Sequence, residues 1–247
     1  MKKLNKSLIA GISLFALFAV FTVLVKVVDV AAVGPLGSSI GFSKINDAIF
    51  DAIGTSDTWY NISEIFGILA LIVAGVFVIV GLVQLIRRKS LKLVDNHILA
   101  LGVFYVVVAV AYLIFEVVVI NNRPVLIEGA LEASYPSSHT MLAICILSSA
   151  IIEFHKFFAD KKKHLITLDV VSVAIMAVIV IGRLLSGMHW FTDIIGGILL
   201  SLALVFIYHG VLKLIEKKEN KSGRWCLPLL FFNVIFIFFF YLFKIFC

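Results

Sequence analysis

The chain has 247 residues, 62% of them hydrophobic and 15% charged, with a formal net charge of +6 and a mean hydropathy of +1.13. Soluble domains carry about a quarter charged residues, and several apolar runs here are long enough to cross a bilayer, so a water-soluble globular enzyme is excluded. The positive balance does not point to nucleic acid, because the lysines border the apolar runs, where membrane topology accounts for them.

In lipid each run must be a helix, since backbone groups there have no water to bond. Lys2 and Lys3 precede an apolar run from Leu8 to Val25. This start is like a signal peptide, but the run is long for one and no A-x-A site follows, so it reads as a retained first span, 7–28. In the connection 29–61, Phe42, Ile45, Ile49 and Ile53 recur at helical spacing, with Lys44, Asp47 and Asp51 on the other face. This pattern predicts a helix lying on the membrane surface as a packing lid. Trp59 and Tyr60 suit the headgroup boundary. Further spans are predicted at 62–86, 96–119, 139–158, 165–185 and 189–214, and a Phe-rich run at 227–246 adds a seventh. The expected architecture is all-α: one polytopic helical-bundle domain over 1–247, with six core spans and an extra C-terminal one. Cys145, Cys226 and Cys247 offer no disulfide framework.

The positive-inside rule orients the spans. Lys2, Lys3 and Lys6, then Arg87 to Lys92, Lys156 to Lys163, and Lys213 to Arg224 all fall on one side. That side is expected to be cytoplasmic, with the N-terminus, in the plasma membrane. The opposite, extracytoplasmic face receives Arg123, His139, Arg183, His189 and Asp193 from three separate segments, "EVVVINNRPVL", "YPSSHT" and "GRLLSGMHWFTDIIGG".

These residue types suit a phosphoryl group. Arginine's planar fork matches phosphate oxygens and stays charged. Ser137 and Ser138 precede an apolar run, so they sit at a helix N-terminus, whose free amides and dipole favour an anion. Pro136 fits the entry to that helix. His189 and Asp193 are four apart, which on one helix face lets the carboxylate fix the imidazole tautomer. Gly187 offers a break that turns Arg183 towards His189.

In order and internal spacing the three segments resemble the signature of the type 2 phosphatidic acid phosphatase family, which also includes vanadium haloperoxidases. The family pattern is K-x6-RP, PSGH and SR-x5-H-x3-D. This chain reads E-x6-RP from Glu116 to Pro124, PSSH over 136–139 and GR-x5-H-x3-D over 182–193. The resemblance covers the motif-bearing core, about 96–214. It implies a metal-independent phosphatase without cofactor, acting on a lipid phosphate within the bilayer. His189 would attack phosphorus and form a phosphohistidine, Asp193 would orient His189, and His139 would protonate the leaving group and then activate water. Arg123, Arg183 and the amides around Ser137 and Ser138 would hold the phosphoryl oxygens. Gly182 and Ser138 are mild departures. Glu116 is a serious one, because a carboxylate replaces the lysine. It would repel phosphate, or pair with an arginine and orient it; Lys26 is a candidate to supply the lost charge.

The reading is therefore a lipid phosphatase for undecaprenyl diphosphate, phosphatidylglycerol phosphate or phosphatidic acid. An outward-facing site favours the polyprenyl diphosphate. The alternative is a weakened lipid-phosphate binder or transporter on the same fold, kept open by Glu116. Haloperoxidase chemistry would use the same cradle for vanadate.

Overall fold

A computed structural model describes residues 5–222, and they are helical throughout apart from turns and three isolated bridges. The helices are α1 (Lys6–Val27), α2 (Ser43–Ile53), α3 (Asp57–Arg88), α4 (Asn96–Val117), α5 (Ser138–Phe157), α6 (Lys162–Leu185) and α7 (Phe191–Ser222). All but α2 are long and apolar enough to cross a bilayer. The protein is thus a multi-pass helical membrane bundle. The run at 227–246 lies outside the described residues, as do Lys2 and Lys3.

Most span boundaries fall within a few residues of expectation. Two differ in ways that shape the site. The third helix begins at Asp57, because the Ser56 hydroxyl caps it by accepting from Trp59 N at 3.4 Å. Trp59 and Tyr60 are therefore helical, and Glu64 sits two turns in. The last described helix begins at Phe191, so His189 lies in the turn before it and not on its face.

α7 is the central strut: α1 runs along it, and α5 packs against both α6 and α7. The core between α1, α4, α5 and α7 is aromatic. Phe18 stacks on Tyr135 at 6.2 Å and meets Phe115 edge-on at 5.8 Å. Phe104 stacks on Tyr208 at 4.6 Å. Apolar side chains of α3 such as Ile65, Ile68 and Ile72 are exposed. In a bilayer such a face meets acyl chains, which are as apolar as the side chains themselves.

α2 forms where expected but buries a different face. Ile45 is 46% exposed, whereas Asn46 is fully buried. Asn46 Oδ1 accepts from Thr192 N at 3.2 Å, and its Nδ2 donates to Thr192 Oγ1 at 2.9 Å. An apolar side chain at 46 would leave the Thr192 amide at the start of α7 without its acceptor, so polar pairing overrides the apolar periodicity. Phe50 then packs on Trp190 at 5.5 Å. The surface helix is bolted to the turn that carries His189.

Candidate active site

One end of the bundle gathers the N-termini of α3, α5 and α7, the C-terminal end of α6 and the connection 118–137. α6 stops at Leu185, and Gly187 adopts a φ of 70°. A Cβ there would also lie 2.4 Å from Gly54 O. This turn returns the chain so that Arg183, His189 and Asp193 share one end. Gly196 allows α7 to approach the start of α5, because a Cβ there would sit 2.5 Å from the Tyr135 ring.

His189 is buried. Its Nδ1 lies 3.1 Å from both the carbonyl oxygen and the hydroxyl of Ser134. A carbonyl only accepts, so Nδ1 carries the proton and Nε2 is the free lone pair. Nε2 lies 3.5 Å from Arg123 Nη1. Burial, then the charges of Arg123 and Arg183, push the imidazole's proton affinity well below its ordinary value, against the pull of the Ser134 backbone. His189 is neutral at pH 7, the state a nucleophile needs.

Asp193 does not bond His189 directly: the Nδ1–Oδ2 separation is 3.8 Å. Ser134 stands between them, donating its hydroxyl proton to Asp193 Oδ2. The expected contact is therefore a relay, because His189 precedes α7 instead of lying on its first turn. Asp193 also accepts from Trp190 N at 2.9 Å, while its own N donates to Trp190 O at 3.0 Å, a reciprocal cap that fixes the start of α7.

Ser137 and Ser138 divide the anion-binding role unevenly. Ser137 is the buried N-cap of α5, and its hydroxyl accepts from Thr140 N at 3.5 Å. Its own amide donates to Asp193 O at 2.9 Å, so that amide is not offered to a ligand. Ser138 and His139 follow as the first two helical positions, whose amides have no intrahelical acceptor. The cradle is shifted by one residue from the expected one, because Ser137 is spent in joining α5 to α7.

Both arginines meet carboxylates. Arg123 Nε lies 3.1 Å from Glu132 Oε2, and its Nη1 donates to Met188 O at 3.4 Å. Arg183, 1% exposed, donates from Nη2 to Glu64 Oε1 and lies over the Tyr60 ring at 5.3 Å. The same Glu64 oxygen is 3.3 Å from His139 Nε2. Glu116 is exposed and interacts with the Tyr112 hydroxyl. No ion pair joins it to an arginine among the described residues, because Glu132 already occupies Arg123. It does line, with Tyr112, Ser134, Ser138 and His189, a small cleft that opens on the imidazole. Lys26 is exposed near the end of α1. Among the described residues no group of three or more His, Cys, Asp or Glu is arranged to hold a metal ion.

The structure thus brings His139, His189, Asp193, Arg123, Arg183, Ser137 and Ser138 to one end, with Glu116 at the rim. Ser134, Glu132 and Glu64 join the site beyond the residues expected from sequence. Ser134 and Glu132 sit within the stretch "EASYPSSH" and carry no spacing signal. Glu64 did carry one, since an ionisable residue inside a span is a functional candidate by default.

Fold and site together define a polytopic helical bundle with paired arginines, two histidines and open helix-terminal amides at one end. Comparison with known proteins finds the same motif-bearing core elsewhere. Residues 97–216 match the model of the PAP2 superfamily. Over 88 residues it is 30% identical to phosphatidylglycerophosphatase B of Bacillus subtilis (strain 168); the match covers 36% of this chain and 43% of that protein's length. The crystal structure of a transmembrane PAP2-type phosphatidylglycerolphosphate phosphatase from Bacillus subtilis shares the fold. Its TM-score is 0.58 at 20% identity, covering 86% of this chain and 98% of that one.

Proposed function

We propose that this protein is a membrane lipid phosphatase that hydrolyses a phosphomonoester or diphosphate through a phosphohistidine on His189. The observation that carries the reading is the state of His189. It is buried and neutral, its Nδ1 proton is held by Ser134, and its Nε2 lone pair stands beside Arg123 in an open cleft. A nucleophile oriented by a neighbouring group, facing fixed positive charge, is what phosphoryl transfer requires. Nε2 would attack phosphorus while His139 gives a proton to the leaving oxygen. Water would then cleave the N–P bond, with His139 taking the water's proton. Arg123, Arg183 and the amides of Ser138 and His139 would hold the equatorial oxygens.

The basic loops support a cytoplasmic N-terminus and a site on the extracytoplasmic side. The Bacillus relative's name adds weight to phosphatidylglycerol phosphate among the candidate lipids, beside undecaprenyl diphosphate and phosphatidic acid. The test is phosphate release by the purified protein from each of these three lipids, with His189→Ala as control. Equal inactivity of wild type and variant on all three sinks the enzyme reading.

One observation favours the second reading, a lipid-phosphate binder. Each arginine is already paired with a carboxylate, and Glu116 adds negative charge at the rim. A binder retains labelled lipid phosphate without turnover and yields no phosphohistidine on rapid quench.

A further inference from the structure

The third helix enters the site although it lies outside the segment that matches the superfamily. Tyr60 and Glu64 on α3 both engage Arg183. Gly67, nearly one turn on, faces the His139 ring, its nearest neighbour being Cδ2 at 3.5 Å from where a Cβ would stand. The Cδ2–Nε2 edge of His139 is therefore turned to α3, with Nε2 at 3.3 Å from Glu64 Oε1. Nδ1 lies on the opposite side of the ring from Cδ2, buried and without a hydrogen-bond partner among the described residues. The charged and titratable groups that bear on His139 are Arg183 from α6, Glu64 from α3, His189 from the turn before α7 and Arg123 from the connection before α5. Glu64 is the single anion in that set.

Resting on the phosphatase reading above, we propose that Glu64 is the positioning residue for His139: its carboxylate holds Nε2–H and balances the imidazolium, leaving Nδ1 to pass the proton. In the first step the His189 Nε2–P bond forms and the P–O bond to the lipid breaks. The Nδ1 proton moves to that departing oxygen, and His139 becomes neutral. In the second step water's oxygen bonds phosphorus, the N–P bond breaks, and the water's proton returns to Nδ1. Glu64 stays ionised throughout. Its contact with the buried Arg183 guanidinium does not depend on the charge, because a glutamine amide oxygen can still accept from Nη2.

A carboxylate acting through the general acid matters only when the leaving oxygen needs a proton. Glu64→Gln, Glu64→Asp and wild type are compared as full-length protein in detergent, on dioctanoyl phosphatidic acid and on p-nitrophenyl phosphate, whose leaving group departs without protonation. Glu64→Gln is expected to lower kcat/KM on phosphatidic acid at least about tenfold, a fraction of the roughly hundredfold or more that general-acid catalysis supplies, because His139 itself remains. On p-nitrophenyl phosphate it loses less than about threefold by the same argument. The alkaline limb of its phosphatidic acid profile moves to lower pH, and Glu64→Asp recovers part of the loss. Equal loss on both substrates would make Glu64 a packing residue and overturn the proposal, as would superimposable pH profiles with unchanged kcat/KM. Wild type that releases no phosphate from either substrate, nor from phosphatidylglycerol phosphate or undecaprenyl diphosphate, overturns the phosphatase reading itself, a different result from an active wild type with an indifferent Glu64→Gln.

Discussion

The bundle carries a polar cluster at each end, and the two are built to different rules. At the end opposite His189, Glu153 is fully buried and accepts from the Tyr208 hydroxyl at 2.7 Å, with His97 Nδ1 on its second oxygen. His97 Nε2 faces Asp95, which also takes Arg88 and the Gln84 amide. No side-chain atom of these residues is buried without a partner. At the His189 end, Arg183 Nε and His139 Nδ1 are buried without one, among the described residues. About 22 Å of α5 separates Glu153 from Ser138, at 1.5 Å per residue. A saturated network fixes helices, whereas donors left open are arranged for a group that arrives later. The difference separates scaffold from site using one helix as the ruler.

The largest expected effect tests the open end. His189→Ala is expected to lower phosphate release per folded molecule at least about a thousandfold, as loss of a covalent nucleophile does. Retention of more than a tenth of the activity would show that His189 is not the nucleophile. The closed end should behave in reverse. Glu153→Ala leaves His97 and the Tyr208 hydroxyl without their shared acceptor, and breaking a buried pair costs about 3–5 kcal/mol. Thermal unfolding in detergent should show that loss, with activity per folded molecule unchanged. A stable Glu153→Ala protein that has lost turnover would erase the contrast between the two ends.

A third substitution probes the joint between site and core. Gly196→Ala puts a methyl 2.5 Å from the Tyr135 ring, which is already held by Phe18 and by the Thr22 hydroxyl at 2.8 Å. Overpacking of this kind costs about 1–3 kcal/mol. It should also move the Pro136 to His139 turn, so KM rises with the loss of stability. Unchanged melting and kinetics would mean that α7 can shift away from α5 freely.

Glu116→Lys follows with a smaller effect. Glu116 lines the cleft from its rim but touches no arginine, so a lysine there adds attraction without disturbing the ion pairs. A preference for the more highly charged diphosphate lipid should grow by roughly tenfold, the scale of one added charge-assisted contact of about 1.4 kcal/mol. Unchanged kinetics on every lipid would place Glu116 outside the site.

Much of this is legible in the sequence. The spans follow from apolar length, because lipid leaves helices as the single way to satisfy the backbone of such runs. The residues that converge could be listed because three short segments carry their own spacing and the loop charges put them on one face. The partners of those residues could not. Glu64 meets Arg183 across 119 positions of chain, and no periodicity links α3 to the end of α6. Ser134 inserts between His189 and Asp193 because α7 starts two residues after His189, a boundary set by Asp193 capping Trp190. Asn46 broke the apolar pattern of α2 for the same kind of reason: a buried hydrogen-bond partner outweighs one isoleucine on a surface helix. Sequence periodicity reports what meets lipid or core, and it is silent on which donor takes which acceptor.

The smallest effect concerns pH, and it separates the two ends once more. Burial and the two arginines lower the proton affinity of His189 in the folded protein, while in the unfolded chain a histidine titrates near about 6.5. Below that value the unfolded state takes up a proton that the folded state refuses, so unfolding gains proton binding as pH falls. The contribution of a neutral His189 to stability is therefore complete above about pH 6.5 and declines as the pH drops towards the lower folded value. Because the nucleophile must be neutral, the acid limb of kcat/KM should likewise lie below the ordinary histidine range. His189→Gln removes the titrating ring without opening a large cavity. Its melting temperature should fall less steeply than that of wild type between pH 7 and pH 5, while the saturated network around Glu153 is common to both proteins and cancels in the comparison. Parallel slopes would mean that the folded protein accepts a proton on His189 at little cost. The arginine pairs with Glu64 and Glu132 would then be screening the site so fully that its histidine sees no excess positive charge.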